Sequence, residues 1–576
     1  MTTSSPTAEA STTYNLLDEP WLSVAYTDGS TGAVSLIQAF QQADEISGFI
    51  TDLPVQEFAL VRLMLAAMYG AIPGGPTDQQ WAHMWAHGIP HQVTDRLRQF
   101  HDRFDLLDAE QPFFQVADLR TGKGQVSGLE KLILDVPNGE PFFTTRIGAG
   151  LESVDFAEAA RWLVTVQAYD PSGIKSGAVG DERVTGGKGY PIGVAWSGHL
   201  GGLLVQGHTL QQTLLLNFIG HHTNDALAWN DAEAADLPAW ERPQSTAAAT
   251  SGLDQPAEAV GTTTYFHGPA TLYTWQSRRI RLFHNHQRVT GVIIANGDRL
   301  KPQNADQHEP MTAWRRSPAQ EKALKTSSPV YMPLQHQPGR SIWRGIAQFL
   351  PNADPRESTE RKPSLIAGWL NHLRHAELLP TRQLTRLRAF GIVYGSNSSV
   401  VDESITDDLD IQLSVLSSSN QALKGLLKTA TGIADDLAQH LANFAGNVAA
   451  AAGRVTDGPR QRARERAYEV FDPLFRDWIR DLTAESDRNE VLVRWRDAAS
   501  RATLQLGRAL VDQAPLAAWV GRTLTDRKGN EYRLDAAQAD LWFCAAVKKT
   551  AGDAPPETAT TTAATSPHDT HTEELA

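Results

Sequence analysis

Residues 420–452 read NQALKGLLKTATGIADDLAQHLANFAGNVAAAA, and this run decides the fold class. Leu423, Leu426 and Leu427, then Ile433, Leu437, Leu441 and Phe444, recur at steps of three and four, the spacing of one helix face. Gly425, Gly432 and Gly446 interrupt the run, each at a cost of about 0.5–1 kcal/mol relative to Ala, which an amphipathic helix of this length absorbs. Three further segments, 459–482, 487–513 and 535–549, carry similar spacing, with Pro473 and Gly507 as their internal exceptions. Four amphipathic segments joined by turns predict an antiparallel four-helix bundle over residues 417–550.

Upstream of this bundle the pattern is different. Residues 14–36 read as two short strands around a turn at 28–32, and helical spacing follows at 37–43 and 54–69. Helices are also predicted at 81–87, 92–104, 127–134, 155–168, 209–218, 341–350 and 362–379. Strands are predicted within 271–285, where Arg279 and Arg281 would share a face, and at 287–300, 311–316 and 387–395. Residues 224–256, rich in Ala, Asp, Thr and Pro, predict an exposed excursion. The fold class is therefore α+β: a large mixed N-terminal domain over 12–405 and a C-terminal four-helix bundle. Residues 1–11 read as a disordered arm, and 551–576, mostly Thr, Ala, Pro and acidic residues, as a disordered tail.

Composition limits the function. The chain has 576 residues and a formal charge of −14, so any nucleic-acid contact must come from local basic features or from more basic partners. Cys544 is the only cysteine, which excludes a disulfide framework and a cysteine-based zinc site and fits a reducing cytoplasm. No run reaches the 18 or so apolar residues of a membrane span, and the first residues lack a signal-peptide pattern.

Residues 170–202 form the most unusual stretch, DPSGIKSGAVGDERVTGGKGYPIGVAWSGHLGG, with ten glycines in 33 residues. Glycine admits positive φ and has no Cβ, so such a stretch brings backbone close to another surface. Lys175, Arg183 and Lys188 lie among these glycines, which points either to an anion or groove contact or to a long surface loop. Motifs of catalysis fail here on context. Ser172 and Lys175 match S-x-x-K but lack the accompanying S-D-N and K-T-G elements. Gly186, Gly187 and Lys188 resemble a phosphate loop, yet Glu182 replaces its first Gly and Gly189 its Ser/Thr. His83 with His87, His221 with His222, and His284 with His286 have no ligand company of metal-site type. No nucleophile, base and orienting group assemble, so the reading is no enzyme and no cofactor or metal. What remains is a set of basic or polar tips on turns: Lys175, Arg315–Arg316, and the Ser396-Asn397-Ser398-Ser399 turn after an apolar strand. The bundle adds Arg460, Arg462, Arg464 and Arg466, whose i,i+4 repulsion calls for a counter-charge, either Glu465 or a phosphate.

The order of several motifs resembles the large subunit, the CasA family, of the type I-E CRISPR surveillance complex Cascade. The matching residues are 15–22 (NLLDEPWL), 111–115 (QPFFQ), Glu130-Lys131-Leu132 and Lys175-Ser176-Gly177, spread over a chain that ends in a helical bundle. The single cysteine is a departure, because some relatives carry a cysteine-based zinc element. The resemblance implies a non-catalytic cytoplasmic subunit that reads the protospacer-adjacent motif (PAM) of duplex DNA from the minor groove, starts unwinding and helps recruit a helicase-nuclease. By position, Ser172, Gly173 and Lys175 correspond to a glycine loop at the PAM. Arg315 or Arg316 corresponds to a basic finger, and Asn397, flanked by Ser396 and Ser398, to a wedge that is often Gln in the family. Asn138, Gly139, Phe142 and Phe143 lie in the loop that would contact the guide RNA. The implied partners are the other Cascade subunits, the CRISPR guide RNA, double-stranded target DNA with its displaced strand, and the helicase-nuclease, with no membrane. The alternative is a ribonucleoprotein scaffold that does not read DNA sequence.

Overall fold

The computed structural model describes residues 12–136, 146, 149–220, 236–255, 268–351, 360–380, 382–525 and 528–552. Two compact units emerge: Met1–Lys428 with Arg476–Arg488, and Thr429–Phe475 with Asn489–Ala576. The architecture is α+β, with mixed helices and small antiparallel sheets followed by a C-terminal helical region.

The first unit opens with a sheet of β1 (Leu22–Tyr26), β2 (Thr31–Val34) and β3 (Ile46–Phe49) in the order β2-β1-β3. The β1–β2 turn is the one expected: the Asp28 carboxylate accepts from Ser30 N–H at 2.8 Å and Gly29 takes φ +87°. Next comes the helix Pro54–Ala71, apolar on nearly every side and buried along almost its whole length, as the core helix of a large domain must be. Its one arginine, Arg62, is buried and forms a two-pronged ion pair with Glu309 at 2.8 and 2.9 Å. Glu309 also accepts from Trp196 Nε1 at 2.7 Å and from Met311 N–H at 2.9 Å, and Arg62 lies 4.0 Å above the Tyr273 ring. A buried charge is tolerated only with such saturation.

The helix Phe156–Tyr169 begins at Asp155, whose carboxylate accepts from Glu158 N–H at 2.7 Å. The glycine-rich stretch follows, with the short ladder β4 (Lys175–Ser176) and β5 (Lys188–Gly189) and then β6 (Gly202–Gln206). A hairpin of β7 (Arg278–His284) and β8 (Val289–Asn296) packs against β4. A three-stranded sheet of β9 (Trp314–Arg316), β10 (Tyr331–Pro333) and β11 (Arg361–Lys362) has the order β10-β9-β11. The long hairpin β12 (Leu384–Tyr394) and β13 (Val401–Gln412) completes a sheet in the order β13-β12-β6.

Several local expectations change. Over 127–134 only a 3₁₀ turn forms, Leu129–Lys131, because Ser127 exchanges backbone bonds with Val292 at 2.9 Å and is drawn into the β8 edge. The segment at 271–285 starts as a helix, Pro269–Tyr273, whose Ala270 and Thr271 N–H groups donate to Asp236. Arg278 and Arg279 are both fully buried. Trp240, inside the expected excursion, is buried 5.0 Å from the Phe104 ring.

The helical region contains Gln421–Ala451, Asp457–Arg480, Arg488–Asp512 and Ala536–Ala551, each within a few residues of its predicted span. Inside the second unit, Trp495 Nε1 donates to Ala430 O at 2.8 Å, and its ring meets Phe475 edge-on at 5.0 Å. Gly507 is needed for packing: a Cβ there would overlap the Phe543 ring. Between the last two helices lie an unexpected short helix, Leu516–Val520, and a hairpin of β14 (Arg522–Thr525) and β15 (Glu531–Leu534). In the arginine run, Arg464 donates to Gln439 at 2.5 Å and Arg466 pairs with Glu469 at 2.8 Å, so protein groups supply partners to both.

Candidate nucleic-acid interface

Two turns that are far apart in sequence meet in the first unit. The first is the start of the glycine-rich stretch. The helix Phe156–Tyr169 ends at Asp170, which is almost fully buried and whose carboxylate receives two cations, Arg278 Nε and Lys175 Nζ, each at 2.5 Å. The same Arg278 donates to the carbonyls of Asp170 (3.3 Å), Pro171 (3.1 Å) and Gly193 (2.8 Å). One guanidinium fork thus ties together both ends of the 171–193 excursion, a task that suits a planar group with five donors. Arg278 is held in turn by Gln167, which accepts from its N–H at 3.0 Å and donates to its carbonyl at 2.9 Å.

The second turn is the tip of the β12–β13 hairpin. Gly395 N–H donates to Val400 O, Ser398 N–H to Gly395 O, and the Ser399 hydroxyl to Ser396 O. Asn397 and Ser398 both adopt the left-handed region, φ +53° and +54°, which Asn tolerates better than other non-glycine residues. Ser396 and Asn397 are exposed, and the Asn397 side chain makes no hydrogen bond among the described residues.

The point of contact is Gly173. Its φ is +109°, and a Cβ there would stand 3.3 Å from Ser399 Cβ, tighter than an ordinary carbon–carbon contact. Both turns line one cavity of about 420 Å³, with Ser172, Gly173, Ile174 and Lys175 on one side and Ser399 and Val400 on the other. Two of the later glycines, Gly198 and Gly201, serve packing. A Cβ at Gly198 would overlap Tyr394 Oη, which donates to Tyr169 O at 2.7 Å, and one at Gly201 would overlap Leu334 O.

The geometry separates the two arginines of the proposed finger. Arg316 is neutralised, with Nε 2.7 Å from Glu321 and Nη1 3.3 Å from Glu360. Those carboxylates raise its pKa well above the ordinary arginine value. Arg315 is exposed and has no ion-pair partner among the described residues. Gly202 pairs antiparallel both with Thr312 and with Phe390, so the chain leaving Thr312 toward Arg315 runs the same way as β12 toward the hairpin tip. Lys175 is also distinguished: its ammonium is turned inward onto Asp170, and burial, opposed by the attraction of Asp170, pushes its pKa down to about 8. Asn138, Gly139, Phe142 and Phe143 lie outside the described residues.

Sequence reasoning passed over the roles of Asp170 and Arg278, and gave Ser399 only as part of a polar turn. The adjacent Arg278-Arg279 pair ahead of an apolar strand was the available signal, because arginines in such a strand must either face solvent or find buried partners. Among the described residues, no group of three or more His, Cys, Asp or Glu side chains is placed to hold a metal ion, and no helix is long and apolar enough to cross a membrane.

Comparison with known proteins gives the family. The family profile of CRISPR-associated protein Cse1 matches residues 15–506. The CRISPR-associated protein CasA/Cse1 of Thermus thermophilus is 27% identical over 371 residues, 63% of this chain and 64% of that protein, so the alignment spans just under two thirds of the relative's length. The crystal structure of Thermobifida fusca Cse1 is 42% identical with a TM-score of 0.83, covering 94% of this chain and 98% of that one. A chain of a CRISPR RNA-guided surveillance complex shares the fold at 17% identity and a TM-score of 0.61, covering 86% of this chain and 99% of that one. With a matched region that takes in both turns, the Asp170 hub and most of the helical region, the chain belongs to the CasA/Cse1 family, the large subunit of type I-E Cascade.

Proposed function

We propose that this chain is the non-catalytic PAM-reading subunit of an RNA-guided surveillance complex, working in the cytoplasm. The glycine loop at Ser172–Gly173 approaches the minor groove, Arg315 holds a phosphate or groove edge, and the Ser396-Asn397-Ser398 tip enters the duplex beside the PAM. The observation that carries this reading is the contact of Gly173 with Ser399, which sets a backbone-rich probe against the base of the hairpin turn that carries Ser396, Asn397 and Ser398, with Gly173, Ser399 and Val400 lining one cavity. A minor-groove reader of this kind distinguishes mainly A·T from G·C, so it accepts several related PAMs. Separating one base step costs a few kcal/mol, which loop and tip contacts must offset. Beyond that step the exchange of DNA duplex for RNA–DNA heteroduplex is nearly balanced, so the first opening event commits the complex. A formal charge of −14 is compatible with this role, because basic partner subunits would carry the main electrostatic attraction. The loop bearing Asn138, Gly139, Phe142 and Phe143 would meet the guide RNA, the helical region would meet neighbouring subunits or the displaced strand, and the assembled subunit would help recruit the helicase-nuclease.

The test is a mobility-shift comparison of complexes with and without this subunit, on duplexes with and without the PAM. The expected result is loss of the PAM-dependent part of binding. A uniform weakening on every duplex would instead identify a scaffold without sequence readout.

A further inference from the structure

The glycine loop presents one large side chain outward, and it is apolar. Ile174 is 58% exposed, between Gly173, which is packed against the hairpin tip, and Lys175, whose side chain is only 12% exposed. Successive residues of an extended segment face opposite ways, so fixing Lys175 inward turns Ile174 outward. Lys175 is fixed by the Asp170 carboxylate, which Arg278 holds as well, and Arg278 also grips the Pro171 and Gly193 carbonyls on either side of Ile174. Thus the loop is set from below by a buried charge cluster, and Ile174 lines the rim of the cavity it shares with Ser399 and Val400.

We propose that Ile174 is a specificity-determining residue, the side chain that this loop lays against the floor of the minor groove, and that Asp170, Arg278 and Lys175 are positioning residues that aim it. This rests on the PAM-reading function proposed above. The chemistry gives the direction of preference. In the minor groove a G·C pair differs from an A·T pair by the guanine N2 amino group, a donor that projects into the groove. An aliphatic side chain offers that donor no acceptor and occupies its space, so Ile174 disfavours G·C at the pair it covers. Lys175, pinned to Asp170, adds no free charge to the contact.

The experiment uses the assembled complex carrying Ile174→Ala, Ile174→Asn, Lys175→Met or Gly173→Val, binding a duplex library randomised at the PAM and measured at several salt concentrations. Ile174→Ala is expected to lower discrimination against G·C at one PAM position about tenfold, in the range of one mismatched pair. Ile174→Asn, which supplies an acceptor, should shift that position toward G·C, and neither variant should alter the salt slope. Lys175→Met should relax the same position through loss of aim, also with an unchanged slope. A slope reduced by about one charge in Lys175→Met would show that the lysine itself touches phosphate and would overturn the positioning role. An unchanged PAM profile in both Ile174 variants, with discrimination lost in Gly173→Val, would refute the inference and leave the PAM-reading function standing. Unchanged profiles in all four variants would refute the inference and remove the loop from PAM reading, while the PAM-reading function itself fails only if omitting the subunit weakens binding equally on every duplex. Ile174 is exposed, so its variants should keep the melting temperature of the unaltered subunit and read function directly.

Discussion

Replacing Asn397 by Gly separates the shape of the hairpin tip from the side chain it carries. Both Asn397 and Ser398 occupy the left-handed region, and glycine adopts that region without penalty. The tip hydrogen bonds run through the backbone of Gly395, Ser396, Ser398, Ser399 and Val400 and the Ser399 hydroxyl, so none depends on the Asn397 amide. The expected change in folding stability is therefore within about 0.5 kcal/mol, as for an exposed position without special contacts. The functional effect is larger. If the amide replaces one hydrogen bond of the base pair it disrupts, its loss is worth about 0.5–1.5 kcal/mol, which slows opening about two- to twelvefold. Stopped-flow measurement of R-loop formation, with a fluorescent base beside the PAM, reads this rate on fully paired duplex and on duplex already melted at that step. Asn397→Gly should be slow on the first and normal on the second, and Asn397→Gln should restore the rate. Asn397→Val, which forces a β-branched residue into a strained conformation costing about 1–3 kcal/mol, should distort the tip and impair both substrates. Equal slowing of Asn397→Gly on paired and pre-melted duplex, or no slowing on either, would refute the wedge role.

Three other outcomes follow from the geometry. Arg315→Ala should weaken duplex binding and lower the salt slope by about one charge, whereas Arg316→Ala, whose guanidinium already faces Glu321 and Glu360, should leave the slope unchanged; equal slopes in the two variants would count against Arg315 as the finger. Arg62→Met removes the partner of a fully buried Glu309 and should cost about 3–5 kcal/mol, seen as a large drop in melting temperature, while Arg98→Met on the surface should cost little. Lys175 gives a pH signature: its folded pKa of about 8 lies below the ordinary lysine value of 10.5, so between these values the unfolded chain holds the proton more tightly. The stability this group contributes therefore rises with pH across that window, by up to ~3 kcal/mol, and melting at pH 8, 9 and 10 should show the native protein gaining on Lys175→Met.

How much of this was legible depended on whether the signal was local. The helices of the C-terminal region, the Pro54–Ala71 helix and the β1–β2 turn follow from side-chain periodicity and turn chemistry, which act over a few residues. Strand β13 did not announce itself, since Asp402, Glu403, Asp407, Asp408 and Asp410 have poor strand propensity. It forms because an edge strand may keep one face in water while β12 supplies its ladder, and because Arg386 and Arg476 meet Asp410 and Asp407 at 2.8 Å. The 3₁₀ turn at Leu129–Lys131 was likewise set by a distant segment, since Ser127 pairs with Val292, whereas β14 and β15 pair with each other in strands too short to stand out from their surroundings.

For the candidate site, the amino-acid sequence by itself determined the materials: a glycine-rich backbone after a helix, a polar turn after an apolar strand, two adjacent arginines at a strand tip, and four amphipathic helices. Those are properties of residues near one another in the chain. Only the tertiary structure decided which side chains are on offer. It turned Lys175 inward, neutralised Arg316 but not Arg315 among the described residues, exposed Ile174, and set Gly173 against Ser399, 226 positions later in the chain. The physical reason is that a charge or a glycine is defined by what it meets. Asp170 and Arg278, 108 residues apart, meet only because a helix end and a strand are packed into the same core, and that packing aims the loop.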